Sequence, residues 1–400
     1  MGSLWTEGVR MPEFPALEKD IRTQVLIIGG GMTGILCAYF LQKAGADYCL
    51  LEKDTICQGA TANASAAITA QPGLIYEKIL QKLGQENAEL FLNANLKAVS
   101  CYKELGKVIA CDMKETDSYL YSVIDRRKLE SEIQALSSLG YHAEYMEDTD
   151  LPFEVKAAIR FPAQAQFHPL KFAAGISKNL KIYEHSKVRE MTEYLALTEH
   201  GSVTAEKVII ATHFPFINMR GFYGLKLRPY QTYQLAAQNK KRLQGIYFEA
   251  DNLGLGIQNF QEYLILGEAG DRTGIRKASR DKIRRNSRDM LNEIAKEYFP
   301  GSVEQYGLET WDYRSLDKRP YIGQYSRSTP DLYVAAGFGK GGMTGSMLSA
   351  MILSDLVLEK ENEYKKIFSP LRNPITPGLF ANIGYALTGA LESKKNIGKK

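Results

Sequence analysis

The clearest hydrophobic pattern lies near the start of the chain and predicts a strand, a helix and a second strand. Val25 to Ile28 are continuously apolar and mostly β-branched, as expected of a buried parallel strand. Apolar positions at helical spacing follow, and Gly45 ends that stretch. Tyr48 to Leu51 form the second predicted strand, which Glu52 closes. A unit of this kind is typical of α/β folds with a parallel sheet.

Hydrophobic periodicity predicts further elements along the chain. Helices are expected at 76–106, with a break near Gly84, and at 125–139, 170–179, 277–298 and 343–358. Strands are expected at 119–121, 157–161, 165–167, 180–188, 203–212 and 331–336. A second, more antiparallel sheet is expected from 226–237, 245–249, 255–259 and 263–266.

The order of these elements predicts two domains. An α/β, Rossmann-like domain is expected from 20–75, 145–225 and 305–365. An α+β second domain, mostly antiparallel, is expected from 76–144 and 226–304. Residues 1–19 form an N-terminal arm whose aromatic residues favour docking on the body over a flexible tail. Residues 366–400 form a C-terminal extension with an apolar helix at 379–387, for which packing is favoured over membrane-surface binding.

Composition narrows the class of protein. The chain has 400 residues, 44% hydrophobic and 24% charged, so it is long and apolar enough for a full core. Its net charge of +4 gives no argument for a nucleic-acid partner, and no apolar run reaches transmembrane length. The five cysteines lack metal-type spacing, so we expect no metal site and a reduced, cytoplasmic setting.

A glycine motif gives the first chemical indication. Gly29, Gly31 and Gly34 have the Gly-x-Gly-x-x-Gly spacing between the first strand and helix. Such a turn brings backbone N–H groups and the positive end of the helix dipole to a pyrophosphate, and an acid such as Glu52 can hold a ribose. The alternative is a tight turn without a ligand. Three glycines cost backbone entropy that such a turn does not require, so we favour the dinucleotide.

Two further stretches are rich in small residues. Thr55 to Gly73 would let the backbone approach a flat ligand, although composition alone also fits an ordinary loop. Gly337, Gly339, Gly341 and Gly342 form a second glycine-rich stretch directly before the helix predicted at 343–358.

Four stretches together resemble the FAD-dependent oxidoreductases of the D-amino acid oxidase superfamily, which includes glycine oxidase and sarcosine oxidase. They are 29–34 with Glu52, 166–170 with 182–188, 208–213, and 317–323 with 332–344. The last of them is similar to a branch whose members sometimes continue into a Rieske domain. Because no Cys follows Cys111 and no His follows His213, we expect no Rieske domain here.

The resemblance implies the positions of the cofactor. The pyrophosphate is expected at the first glycine motif, the ribose at Glu52, the adenine at Val188 and the isoalloxazine at 61–66 and 339–344. The full implied set is Gly29, Gly31, Met32, Thr33, Glu52, Lys53, Thr61, Asn63, Ser65, Ala66, Val188, Ala211, Thr212, Gly337, Gly339, Lys340, Gly341, Gly342, Met343 and Thr344. The His and Cys that link FAD covalently in some relatives are absent, so we expect non-covalent FAD.

The resemblance says less about the substrate. Lys340, Arg314 and Tyr233 are the catalytic candidates; an ordinary loop, surface or packing role is the alternative for each. Tyr230 lies in the same predicted strand, and the role of His213 stays open. Arg272 stands where sarcosine oxidase-type enzymes place an oxygen-activating Lys, which argues against fast oxidase activity.

The expected function is FAD-dependent oxidation of a C–N bond in a small amine or amino acid, with oxygen or another electron acceptor. One alternative is oxidation of a hydroxy acid or polyol phosphate. A second alternative is a flavin-binding sensor or assembly factor without turnover. Whether the chain forms a homo-oligomer stays open.

Overall fold

The computed structural model describes residues 3–192, 194–217, 221–251, 254–272, 277–373, 379 and 382. The strands are β1 Ile21–Ile28, β2 Tyr48–Leu51, β3 Ala67–Ile68, β4 Lys114–Ser122, β5 Glu144–Met146, β6 Ala157–Gln166, β7 Ile182–Tyr183, β8 Glu190–Met191, β9 Leu195–Leu197, β10 Ser202–Ile210, β11 Leu227–Gln238, β12 Gly245–Glu249, β13 Gly256–Phe260, β14 Tyr263–Arg272, β15 Val303–Ser315, β16 Tyr321–Ser326 and β17 Thr329–Ala336. The helices are α1 Met32–Lys43, α2 Tyr76–Val108, α3 Arg127–Ser138, α4 Pro169–Ser177, α5 Tyr223–Lys226, α6 Lys277–Tyr298, α7 Gly342–Val357 and α8 Lys365–Phe368.

The first sheet has the Rossmann-like arrangement that the sequence predicts. Its strand order is β16-β17-β10-β1-β2-β7, in which β17, β10, β1, β2 and β7 are parallel to one another and β16 is antiparallel to β17. Alternate residues of β1 enter different cores: Val25 and Ile27 pack with α1 and α7, while Leu26 and Ile28 pack on the opposite face. Helices on one face and apolar loops on the other explain why β1 is apolar throughout.

The second sheet is mostly antiparallel and has the order β15-β11-β14-β13-β12-β4-β6-β3. Helix α6 covers its outer face through Leu291 and Ala295, which pack with Leu235 and Leu266. Two segments differ from the predicted division of the chain. Strands β6 and β15 belong to this second sheet. The sequence assigned all of β6 (within 145–225) and most of β15 (within 305–365) to the first domain.

Three sequence predictions of local structure need correction. The strands expected at 157–161 and 165–167 are one strand, β6, which is irregular opposite β4 between Thr116 and Ser118. The strand expected at 180–188 is reduced to β7, because Glu184 leaves the sheet and accepts the N–H groups of Ile56 and Phe14. Strands β15 and β16 were not predicted.

The N-terminal arm docks on the body, as its aromatic residues indicate. A short 3₁₀ helix, Leu4–Thr6, buries Trp5 completely. The predicted helix at 379–387 and the side chain of Arg272 lie outside the described residues, apart from positions 379 and 382. No helix within the described ranges is long and apolar enough to cross a membrane.

Candidate cofactor and substrate site

A cavity of about 820 Å³ is lined by residues of both sheets. One end is formed by the turn between β1 and α1, where Gly29 has φ +108°. A Cβ at Gly29 would lie 2.6 Å from the carbonyl oxygen of Ala211, and one at Gly34 would lie 1.9 Å from the carbonyl oxygen of Gly29. Both positions therefore require glycine, because backbone atoms cannot move aside for a side chain.

The start of α1 points into this end of the cavity. Its N-cap is Gly31, whose lack of a side chain leaves the helix N-terminus without a side-chain cap. Thr61 Oγ1 accepts the N–H of Met32 at 3.0 Å, which ties the loop at 60–66 to the helix start. A helix N-terminus of this kind attracts an anion through its N–H groups and its dipole.

Glu52 lies at the end of β2 and lines the same cavity. Its two carboxylate oxygens accept the N–H groups of Gly30 at 2.7 Å and Asp54 at 3.0 Å. These bonds fix the carboxylate beside the glycine turn. Each oxygen keeps acceptor capacity for a ribose hydroxyl, since a carboxylate oxygen can accept more than one hydrogen bond.

A second helix N-terminus, from a part of the chain far from α1 in sequence, also lines the cavity. Gly337 and Gly339 have positive φ angles of 77° and 59°, and α7 starts at Gly342 without a side-chain cap. Thr33 Oγ1 of α1 donates to Ser346 Oγ of α7 at 2.9 Å, so the two helix starts are held side by side. The positive end of α7 can stabilise negative charge on a bound ring.

Most of the implied cofactor residues line this one cavity. These are Gly29, Gly31, Met32, Thr33, Glu52, Lys53, Thr61, Asn63, Ser65, Val188, Ala211, Thr212, Gly339, Lys340, Gly342 and Met343. Ala66, Gly337, Gly341 and Thr344 are not part of the lining. Thr344 Oγ1, for example, donates to the carbonyl oxygen of Thr69 at 2.9 Å.

Cys57 also lines the cavity but is held inert. Burial raises the pKa of its thiol to about 12, and its Sγ lies 3.6 Å from the carbonyl oxygen of Gly30. A thiol in this state is a poor nucleophile because the thiolate is the reactive form.

The catalytic candidates have different positions. Lys340 lines the cavity, but its side chain is exposed and Nζ donates to the carbonyl oxygen of Gly254 at 2.5 Å. Arg314 lies behind the Gly339 turn, with its guanidinium 4.9 Å from the centre of the Tyr230 ring. Tyr233 is not part of the cavity lining and packs with Leu235 in the core under α6, so its position does not support the predicted contact with substrate.

The second sheet supplies a polar wall that includes three residues the sequence analysis did not name, Thr232, Gln234 and Asp312. Tyr230, Thr232 and Gln234 of β11 point into the cavity, as the two-residue period of a strand requires. Asp312 of β15 and His213 join them. Asp312 Oδ2 accepts the Tyr230 hydroxyl at 2.8 Å, and its Oδ1 lies 3.6 Å from His213 Nε2.

The electrostatics of this wall centre on Asp312. Its side chain is 16% exposed, and burial raises the pKa of its carboxyl, an effect that His213 and the Tyr230 hydrogen bond oppose. Burial also raises the pKa of Tyr230 well above its ordinary value, so this tyrosine stays protonated and donates. The cluster could have been found only by recognising β15 as a strand.

A Rossmann-like sheet with a glycine turn, a helix start and an acid at one cavity is typical of dinucleotide-binding proteins. The chain belongs to the FAD-dependent oxidoreductase family, whose model matches residues 24–356. The residues fit FAD, since the glycine turn, Glu52 and the start of α7 occupy one cavity. The family is also the one that the sequence motifs indicated.

Three similar proteins illustrate the relationship. The Rieske 2Fe-2S iron-sulfur protein YhfW of Bacillus subtilis (strain 168) is 32% identical over 400 residues, covering 95% of this chain and 77% of the relative. Glycine oxidase from Geobacillus kaustophilus has a TM-score of 0.71 at 19% identity, covering 88% of this chain and 99% of that structure. L-α-glycerophosphate oxidase from Mycoplasma pneumoniae, solved with FAD bound, has a TM-score of 0.66 at 15% identity, covering 88% and 99%.

Proposed function

We propose that the protein oxidises a C–N bond in a small amine or amino acid. The observation that carries this proposal is Asp312, a largely buried carboxylate on the cavity wall. A carboxylate in such a position attracts an ammonium group and repels a phosphate or a second carboxylate. The glycine turn, Glu52 and the start of α7 would hold FAD, which would supply the hydride-accepting chemistry, while the residues of this chain bind and orient the substrate.

The neighbours support an amine or amino acid substrate without fixing it. The glycine oxidase similarity favours an amino acid, and the glycerophosphate oxidase similarity keeps a polyol phosphate as the alternative. A phosphate would need a cluster of cations. The described cations that line the cavity are Lys53, Lys187 and Arg189 beside Glu52 and Val188, and Lys340 at the glycine loop. None of them comes from the wall formed by β11 and β15.

An amino acid also needs a cation for its carboxylate. Arg314 stacks on Tyr230 close to Gly339, and Lys340 lies at the edge of the cavity. We propose one of these two residues for that role. Replacing each by Met, with reduction of the flavin by an amino acid compared with reduction by the matching decarboxylated amine, would separate their contributions.

An anaerobic flavin-bleaching screen tests the proposal. Amines, N-methyl amino acids, amino acids, hydroxy acids and polyol phosphates are each mixed with the FAD-loaded protein, and absorbance near the flavin maximum is followed. Bleaching by an amine or amino acid, with an imine or its hydrolysis products, supports the proposal. Bleaching by hydroxy acids or polyol phosphates alone would replace it, and no bleaching by any compound would favour a sensor or assembly role. Repeating the reaction in air and with artificial acceptors then identifies the acceptor class.

The FAD is proposed to be non-covalent. The cavity-lining thiol of Cys57 is protonated and buried, and the linking residues of some relatives are absent from 61–66. Acid precipitation is expected to release all the yellow colour into the supernatant. Colour retained in the pellet would show a covalent bond, and His213 would then be the first residue to replace, because it is the described histidine that lines the cavity.

A further inference from the structure

The polar wall contains three titratable side chains in contact. Asp312 lies at the centre: Tyr230 donates to Oδ2 at 2.8 Å, the N–H of Tyr313 donates to Oδ1 at 2.6 Å, and His213 Nε2 lies 3.6 Å from Oδ1. All three side chains, Asp312, Tyr230 and His213, line the cavity. Each carboxylate oxygen therefore has one donor from the protein and a lone pair left for a group in the cavity.

The backbone at His213 is held in an unusual conformation. Its φ is +66°, in the left-handed region that favours glycine. This conformation is unfavourable for a residue with a Cβ, so the surrounding contacts have to stabilise it. His213 Nε2 also lies 2.9 Å from the carbonyl oxygen of Trp311, and its ring meets that of Tyr313 edge-on at 5.3 Å. These contacts point the imidazole at Asp312.

The groups that face Asp312 come from each neighbouring element. Tyr230 comes from β11, His213 from the segment after β10, and Tyr313 and Arg314 from β15 itself. Arg314 acts on Asp312 through its positive charge, which opposes the effect of burial on the Asp312 pKa, and its guanidinium lies 4.9 Å from the centre of the Tyr230 ring. Tyr230 cannot take a proton from Asp312, since it stays protonated and already donates to Oδ2. His213 is 32% exposed, which connects the cluster to the cavity solvent.

Resting on the proposed function, we infer that Asp312 binds the ammonium group of the substrate and removes one proton from it before the hydride leaves. In this step an N–H bond of the ammonium breaks, its electron pair stays on nitrogen, and a new O–H bond forms on Asp312. Asp312 then releases that proton to the solvent of the cavity, while His213, whose Nε2–H donates to the carbonyl oxygen of Trp311 at 2.9 Å, stays beside the carboxylate. The step is needed because only the neutral amine has the lone pair that assists loss of hydride from the neighbouring carbon.

This inference makes Asp312 a catalytic residue and His213 a positioning residue. The raised pKa of Asp312 agrees with that role, since a base works best when its pKa approaches the operating pH. Tyr230 holds the carboxylate in place. The antiparallel pairing of β15 with β11 places Tyr230 directly opposite Asp312, which brings the two side chains together.

The first test measures binding without turnover. tert-Butylammonium has no hydrogen on the carbon next to nitrogen, so it binds without being oxidised. We expect it to shift the flavin spectrum and the melting temperature of the parent protein, and to bind Asp312→Asn at least about tenfold more weakly. Asp148→Asn, an exposed carboxylate outside the cavity lining, serves as the matched control. Equal affinity in Asp312→Asn and the parent would overturn the inference.

The second test uses the pH dependence of anaerobic flavin reduction by the best amine from the screen. The parent is expected to lose reduction rate as acid protonates Asp312. Asp312→Asn is expected to be about 100-fold slower near neutrality and to recover as the pH approaches the pKa of the free amine, where deprotonated substrate binds directly. His213→Gln should shift the profile with a smaller loss of rate. Asp312→Glu should have a reduction rate between those of Asp312→Asn and the parent.

The outcomes separate this inference from the proposed function. If no amine or amino acid bleaches the parent flavin, the proposed function fails first. If an amine bleaches the parent and Asp312→Asn with the same pH profile, the function stands and the assignment of Asp312 is wrong. Melting temperature and FAD content of each variant show whether a rate loss reflects misfolding. If Asp312→Asn misfolds, Asp312→Glu decides: because it moves the carboxylate by one methylene, a reduction rate and a tert-butylammonium affinity that both equal those of the parent would count against the inference.

Discussion

Glu52 directly follows β2, and its carboxylate lines the cofactor cavity. The sequence identified it from its distance to the glycine motif, and the structure places it in the lining with N–H bonds to both oxygens. Glu52→Ala should purify with little FAD yet remain folded, because each charge-assisted hydrogen bond contributes about 1.5–3 kcal/mol. FAD content per protein and circular dichroism measure this. Glu86→Ala, exposed on α2, is the control, and full occupancy in Glu52→Ala would contradict the assignment.

Lys340 lies in the second glycine loop and lines the cavity. Its Nζ donates to the carbonyl oxygen of Gly254 at 2.5 Å, so it joins the second glycine loop to the chain before β13. We predict that Lys340→Met keeps normal FAD content, lowers the flavin reduction potential and slows reduction by substrate, because a positive charge near the ring favours its reduced anion.

A spectroelectrochemical titration and anaerobic stopped-flow measure these effects. Lys360→Met, exposed after α7, is the matched control for loss of a lysine charge. An unchanged potential and reduction rate in Lys340→Met would show that the side chain serves only to hold the loop.

Tyr233 and Asp312 show where prediction of single residues stops. A tyrosine in a predicted strand has equal chances of facing either side until the register is known, and the structure turns Tyr230 inward and Tyr233 outward. Asp312 was missed because nothing in its local sequence marks a carboxylate as facing a cavity. Its position depends on a pairing of β15 with β11 that spans about 80 residues of sequence.

At the level of elements, prediction succeeded where the spacing of apolar residues is regular, either a short continuous run or a helical period. The bounds of β2, β12 and α6 agree with the predicted ones, and the break in α2 falls at Gly84, which has φ +80°. Strand β15 was missed because most of its residues are half-buried on both faces and show no alternation. Strand β6 was divided because Pro162 and Ala163, with φ +58°, interrupt its pattern.

A buried ion-pair cluster holds the turn before β16. Asp317 accepts from Arg319 at 2.6 Å and from Arg372 at 2.8 Å, which fastens the segment after α8 to this turn. The three side chains are at most 20% exposed. Burial raises the pKa of Asp317, but the two arginines outweigh burial and hold it well below the ordinary range.

A depressed pKa fixes the sign of the pH dependence. The ion pairs stabilise the fold above the unfolded-state pKa of about 3.9 and lose their effect as the pH falls toward the folded-state value. Asp317→Asn should therefore lower stability by about 3–5 kcal/mol at neutral pH. Its melting-temperature difference from the parent should shrink below about pH 4. Asp331→Asn at the surface is the control, and a difference independent of pH would contradict the ionic explanation.

At the scale of the whole molecule, the N-terminal arm connects the loop at 60–66 to the second sheet and to the start of α4. The indole N–H of Trp5 donates to the carbonyl oxygen of Ala64 at 2.8 Å, and Ser3 donates to that of Ala62. The Trp5 ring meets Phe260 of β13 at 4.8 Å and His168, before α4, at 5.2 Å. The sequence indicated docking from the aromatic residues but could not indicate the surface, since these contacts are distant in sequence.

Because the arm supports the loop at 60–65 from outside, it is expected to affect FAD binding without touching FAD. Trp5→Ala removes a fully buried side chain, which typically costs about 3–5 kcal/mol, and it also leaves the carbonyl of Ala64 without the indole donor. We predict a lower melting temperature in both the FAD-loaded and the FAD-free protein, and a faster loss of FAD on dilution. Trp5→Phe should recover much of the melting temperature but less of the FAD retention, since it restores packing and not the hydrogen bond. Val108→Ala, 81% exposed on α2, controls for a change at the surface. FAD release at the parent rate in Trp5→Ala would show that the loop keeps its conformation without the arm.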